Sequence, residues 1–324
     1  LKLIFIINEV DDMVLPHFKQ FVFWSLLVFL LAACGSTPQA ISGQLKVVAT
    51  TTIVGDVVHT VAGQSIELTV LLPPGADPHN YEPSPQDLAK IADADLIVLN
   101  GAGLEEVLEP LIENAGGSGR VIHLSEGITL LEGSIGHDEE TPENTQTHTQ
   151  GDPHVWTDPN NILSWVDHLE ATLSELNSTQ AELYEASADQ YRAELKELDE
   201  WIHVQVDQIP LENRQLVTDH VEFTYFAERY GFTLAGAVIP NYSTTADTSA
   251  QELAALEDTI RSLGVQAIFV GNTTNPDLAQ RVANDTGVQL VPLLTGSLTE
   301  PGGGAETYLE YIRYNVNAIV QALK

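Results

Sequence analysis

Gly151-Asp152-Pro153-His154-Val155-Trp156-Thr157-Asp158-Pro159 sets a histidine between two prolines in a loop that opens a helix. Asp77-Pro78-His79 repeats the Asp-Pro-His triplet earlier in the chain, and Thr218-Asp219-His220 places a third histidine just past a strand-like run. Proline fixes φ and biases the residue before it toward extended backbone, so each Pro-His step holds its ring at a defined angle. Three neutral imidazoles delivered by three separate loops suit a transition-metal ion such as zinc or one of its neighbours.

The segments around those loops predict the scaffold. From residue 45 short apolar runs alternate with helix-period segments, the pattern of a parallel sheet covered by helices. Strands are expected over 45–50, 67–72, 95–99 and 121–124, with helices over 54–62, 85–92 and 104–114. His79 then leaves the second strand on the side where open α/β sheets hold ligands. A helix over 160–176 follows the 151–159 loop. Thr179-Gln180-Ala181-Glu182 fits a capping box, and Leu195, Leu198, Ile202, Val206 and Ile209 keep helical spacing until Pro210. Such a helix of roughly 30 residues would be about 45 Å long, enough to run the length of two domains. The second half repeats the first, with strands over 215–218, 233–238, 267–270 and 289–293. Helices over 222–230, 249–263, 276–286 and 305–323 alternate with them. The fold class is therefore α/β, with two Rossmann-like parallel-sheet domains at 45–177 and 211–324 joined by one long rigid helix at 178–210.

The N-terminal region reads as an address. Met13 is the only methionine, and Lys19 precedes the apolar run Phe21 to Leu31, which is too short to span a bilayer as a mature helix. Residues 1–12 are expected to be upstream sequence, residues 1–33 a signal and upstream segment, and residues 34–44 a polar tether. Leu31-Ala32-Ala33-Cys34-Gly35 resembles the lipobox of bacterial lipoproteins, and Cys34, the only cysteine, is the expected lipidation site. With one cysteine the chain forms no internal disulfide. Residues 133–150, with His137 and His148 among acidic side chains, lack apolar periodicity and are expected to form a loop. Acidic residues outnumber basic ones 46 to 13, for a formal charge of −33. That balance argues against nucleic acid and anionic membrane surfaces as partners, and its field modestly concentrates cations without naming one.

With these residues in view the chain resembles the metal-binding lipoproteins of bacterial zinc/manganese ABC importers. The resemblance runs from the lipobox to the C-terminus and rests on Gly75–Pro85, Asp152–Trp156, His220–Gly231, Ser249–Leu253 and Glu300–Tyr308, in that order. It implies two α/β domains with the metal in the cleft between them and little domain closure. His79 and His154 match the first two metal ligands of that family and His220 the third, where manganese-preferring relatives often place a glutamate. A third imidazole shifts the expectation toward Zn2+, with Mn2+ as the second candidate.

The fourth position departs from the pattern. The family's usual Thr-Asp-Ser-Leu segment is here Thr295-Gly296-Ser297-Leu298, and a second commonly acidic position is Gly271. The ion would then have three histidines and a water, or take a carboxylate from Glu222 or Glu300. A hydrolase built on a three-histidine zinc is one alternative, but there is no H-E-x-x-H or G-x-S-x-G. Glu222 is also expected on a helix, two residues from His220 and off its face, which makes it a poor base. A surface adhesin on the same fold is the other alternative. His59, His123, His168 and His203 fall inside predicted elements and are expected to be structural, while Trp156 is expected to brace the His154 loop or to pack in the cleft wall. The expected protein is a monomer outside the cytoplasm, held to the membrane by its lipid alone and partnered by a divalent ion and a cognate ABC permease.

Overall fold

The computed structural model describes residues 43–132 and 151–324. The signal segment with Cys34, and the acidic insert with His137 and His148, lie outside the described residues.

Four strands, β1 (Leu45–Ala49), β2 (Ile66–Val70), β3 (Leu96–Leu99) and β4 (Val121–His123), form a parallel sheet in the order β2-β1-β3-β4. Strands β5 (Gln215–His220), β6 (Thr233–Ile239), β7 (Ala267–Val270) and β8 (Gln289–Pro292) form a second parallel sheet in the matching order β6-β5-β7-β8. The central strands β3 and β7 are buried at every position, as strands covered on both faces must be. Helices α1 (Thr52–Ala62), α2 (Pro85–Asp93), α3 (Glu109–Asn114) and α4 (Pro159–Leu176) belong to the first lobe. Helices α6 (Thr224–Tyr230), α7 (Ala250–Leu263), α8 (Asp277–Thr286) and α9 (Tyr308–Leu323) belong to the second.

Between them in sequence runs α5, the 26 residues Ala181–Val206, roughly 39 Å long at the usual helical rise. It buries Tyr184, Ala188, Tyr191, Leu195, Leu198, Ile202 and Val206, a stripe spaced three or four residues apart. The stripe joins one apolar core that contains Val57 and Trp165 of the first lobe and Phe226, Tyr308 and Ile319 of the second. Helix α5 packs on α1 and α4 on one side and on α9 and α6 on the other, so one rigid element backs both sheets. Among the described residues no helix is long and apolar enough to cross a membrane.

Three local expectations are corrected. The segment before α3 is a series of turns rather than helix, because the buried Glu105 carboxylate accepts hydrogen bonds from the Thr50 hydroxyl (2.7 Å) and the backbone N–H groups of Asn100 (2.8 Å) and Gly101 (3.0 Å). That ties the segment to the sheet end, and Pro110 then opens α3 in its first turn, where a missing N–H costs nothing. The capping box at 179–182 does not form, since the Thr179 hydroxyl donates to Asn177 Oδ1 at 2.6 Å and Gln180 caps α5 without a side-chain bond. Helix α6 starts at Thr224, leaving Glu222 in the β5–α6 loop.

Several polar bonds cross between the lobes. Thr52 Oγ1 accepts from Leu298 N–H at 2.8 Å, Ser297 Oγ accepts from Gly75 N–H at 2.8 Å, and Asp56 Oδ2 accepts from Tyr308 N–H at 2.8 Å at the start of α9. Burial pushes the Asp56 carboxyl up to about 6, the Tyr308 bond offsetting only part of that rise. A carboxyl with a raised folded-state pKa stabilises the fold below its unfolded pKa and loses that contribution as pH rises through the folded value. Asp56→Asn keeps an acceptor for Tyr308 without the charge. It is expected to match the native protein at pH 4 and to exceed it by about 1–3 kcal/mol at pH 7 in denaturant titrations.

Candidate metal centre

The two Asp-Pro-His triplets fold alike. Asp77 Oδ1 accepts the backbone N–H of His79 at 3.0 Å and Asp152 Oδ1 accepts that of His154 at 2.9 Å, closing a turn across a proline that has no N–H to donate. The first triplet follows β2 and the second precedes α4, while His220 ends β5. The expected loops thus meet at the carboxyl ends of the two sheets. His79 is half-buried, and His154 and His220 are 1% and 2% exposed.

The three rings converge through one kind of atom. His79 Nε2 lies 3.1 Å from His154 Nε2, and His220 Nε2 lies 3.3 Å from the same atom. Their ring centroids are 5.0 to 5.6 Å apart, edge to face. Behind them, His154 Nδ1 meets Asp152 Oδ1 at 2.7 Å and His220 Nδ1 meets Asp219 Oδ1 at 2.9 Å. A carboxylate on Nδ1 holds the proton there and leaves the Nε2 lone pair facing the shared centre, the usual support for a metal-bound histidine. Burial, opposed by Asp152, lowers the His154 pKa and so favours the neutral ring that a metal needs. Burial would raise the Asp219 carboxyl, but His220 and the hydrogen bonds from His220, Thr274 and Gly271 together hold it well below the usual carboxylate range.

Further residues fix the His154 loop. The Asn100 side-chain amide donates to Pro153 O at 3.0 Å, and Glu105 in turn holds the Asn100 backbone. Tyr225 of α6 donates to Asp152 O at 2.7 Å. Trp156 sets its ring edge-on to His154 at 5.2 Å and donates to the Tyr311 hydroxyl at 3.1 Å, in the bracing place expected of it. Sequence reasoning passed over Glu105 and Asn100 and credited only the prolines of the triplets. The aspartate before each proline, and the one before His220, was the available signal.

The acidic candidates separate. Glu300 is exposed at the surface, whereas Glu222 is 2% exposed and its Oε2 lies 3.7 Å from His220 Nε2. The helix expected to carry Glu222, and to make it a poor base, starts beyond it, so Glu222 stands in the loop beside His220. Burial, then the neighbouring Asp219 carboxylate, pushes the Glu222 carboxyl well above the ordinary range. His59, His123, His168 and His203 stay outside the cluster: His123 sits 3.9 Å from Glu109 and His203 stacks edge-on against Tyr230.

A family profile described as zinc-uptake complex component A, periplasmic, matches residues 47–322. The chain belongs to the ZnuA family. Among its relatives, the manganese-binding lipoprotein MntA of Halalkalibacterium halodurans is 34% identical over 310 residues, covering 94% of this chain and 98% of that one. The manganese ABC transporter substrate-binding lipoprotein PsaA of Streptococcus mitis is 30% identical over 311 residues, covering 93% and 96%. The periplasmic zinc-binding protein TroA of Treponema pallidum superposes with a TM-score of 0.78 at 27% identity, covering 87% of this chain and 99% of that one. Two parallel-sheet α/β domains with a helical link are thus the fold both of this chain and of its structural neighbours.

Gly296 packs against the His79 loop. A Cβ there would stand 2.9 Å from Pro78 Cδ and 3.0 Å from its Cγ, so any side chain must displace the ring that aims His79. Gly296→Asp therefore cannot simply add a ligand. It is expected to destabilise the fold by about 1–3 kcal/mol and to weaken zinc binding rather than strengthen it, as read by thermal melts and calorimetry. Tighter binding with an unchanged melt would contradict this packing argument.

Proposed function

We propose that this protein captures a divalent transition-metal ion outside the cytoplasm, zinc in preference to manganese, at His79, His154 and His220, and delivers it to the permease of an ABC importer. As a member of a metal-uptake family the chain is a substrate-binding component of such an importer and not an enzyme, which sets the hydrolase alternative aside. No feature of the fold favours the adhesin reading. The observation that carries the ligand assignment is the approach of three histidine Nε2 atoms within 4.8 Å of one another, two of them backed by carboxylates on Nδ1.

The preference for zinc is argued from donor chemistry. Imidazole nitrogen suits zinc, whereas manganese is better matched by oxygen-rich sets, and higher affinity for zinc than manganese is the general order at mixed sites. The relatives named for manganese show that this fold also carries the harder ion. Competition calorimetry decides the point: zinc is expected to bind at least tenfold tighter than manganese, and alanine at any one of the three histidines is expected to weaken zinc binding by orders of magnitude. Equal affinity for the two ions would overturn the preference, and a histidine variant that binds like the native protein would overturn the ligand set. The 133–150 insert is expected to be dispensable for tight binding, because the three histidines all lie outside it.

Membrane attachment through a lipid on Cys34, with the protein acting as a monomer, completes the proposal. The lipoprotein designation of relatives such as MntA and PsaA supports it. Cys34→Ala is expected to move the protein from the membrane fraction to the soluble fraction on cell fractionation. Full retention of that variant in membranes would exclude lipidation at this residue.

A further inference from the structure

We propose that Glu222 is the fourth protein ligand of the metal, replacing the carboxylate that Gly296 and Gly271 cannot supply. The inference rests on the metal-capture reading above and deepens it, because it completes the donor set.

Both glycine positions are closed by packing. Pro78 occupies the space beside Gly296, and a Cβ on Gly271 would lie 2.1 Å from Thr295 Oγ1. The Gly271 N–H is also already committed to Asp219 Oδ2 at 2.9 Å. A carboxylate ligand would therefore come from elsewhere, and Glu300 is exposed to solvent.

Glu222 is the acid at the right place. It is 2% exposed, in the loop between β5 and α6, and among the described residues its ion-pair partner is His220 rather than a lysine or arginine. A carboxyl buried beside a histidine and a second carboxylate, with no lysine or arginine paired to it among the described residues, is rare unless a cation compensates it. The nitrogen it faces, His220 Nε2 at 3.7 Å, is the one that faces His154 Nε2 at 3.3 Å. Four donors each about 2.0–2.1 Å from a tetrahedral ion stand about 3.4 Å from one another. Three of the six donor separations in such a shell, 3.1, 3.3 and 3.7 Å, lie near that edge, and Glu222 enters the cluster through its contact with His220. Three imidazoles and one carboxylate would close the coordination shell, as suits a carried ion, instead of leaving the open position of a catalytic zinc.

Two experiments test the assignment. Glu222→Gln preserves shape but offers only a weak neutral donor; in the full chain it is expected to lower zinc affinity about a hundredfold and to change the visible bands of the cobalt-substituted protein. Asp219→Asn serves as the comparison. It weakens the support behind His220 without touching the ion, so it is expected to reduce affinity while leaving the cobalt bands in place. A folded Glu222→Gln protein that binds zinc within threefold of native, or whose cobalt spectrum superimposes on native, overturns the proposal. The second experiment needs no variant: in a crystal structure of the zinc-loaded native protein, a Glu222 oxygen within about 2.2 Å of the ion supports it and a water in that place overturns it. Loss of binding in the histidine variants with full binding in Glu222→Gln would sink this inference alone. Failure of the native protein to bind zinc would instead remove the reading beneath it.

Discussion

The hydrogen bonds from His154 Nδ1 to Asp152 and from His220 Nδ1 to Asp219 decide what the cleft can do. A free imidazole exchanges tautomers and turns about its side-chain torsions, so three histidines near one another are not yet a site. A carboxylate behind the ring fixes both proton and plane and points Nε2 forward. In each case the same aspartate oxygen also accepts the histidine's own backbone N–H, at 2.9 Å for His154 and 2.8 Å for His220. Ring and main chain are thereby anchored to one atom, and the ordering cost of bringing the donors together is met at folding rather than at metal capture.

That local order needs two lobes held at a fixed distance, since His79 and His154 come from one and His220 from the other. Helix α5 supplies the spacing by burying one face against helices of both lobes. The cleft itself is bridged as well: Tyr308 donates to Trp156 O at 2.7 Å, and Thr52, Gly75 and Asp56 are bonded to residues of the second lobe. Separating the lobes would exchange these bonds for bonds to water, a net loss of about 0.5–1.5 kcal/mol each, and would uncover part of the apolar core that both lobes share. A wide hinge opening is expensive in such a molecule, and smaller movements of the ligand-bearing loops cost less.

The order of strands and helices was legible because a buried parallel strand and an amphipathic helix leave different periodicities. β7 fell where the apolar run placed it, and α5 kept its stripe from Leu195 to Val206. The failures came where one side chain overrides a local pattern. Glu105 draws three donors to itself and holds the stretch before α3 in turns, a long-range bond to Thr50 that no window of neighbouring residues reveals. The late start of α6 is a difference of two residues, within the ordinary uncertainty of a helix end, yet it is what leaves Glu222 in the loop beside His220. The three histidines could be picked out from their loops and from the family they resemble; the aspartates were visible beside them, but the bonds by which Asp152 and Asp219 aim His154 and His220 needed coordinates.

The position of the carboxylate also changes how the second lobe would let an ion go. With an acid on the loop after β8, the second lobe would grip the ion through two separate segments, one ending β5 and one following β8. With Glu222 as the donor, both of its contributions ride on the single stretch His220-Val221-Glu222, whose Val221 N–H is held by Asn241 O at 3.0 Å. Displacing that one segment removes an imidazole and a carboxylate together and leaves the ion on His79 and His154 alone. The neighbouring loop is then free of any coordinating duty, which accounts for the backbone of Gly296 lying close against Pro78 where a side chain would not fit.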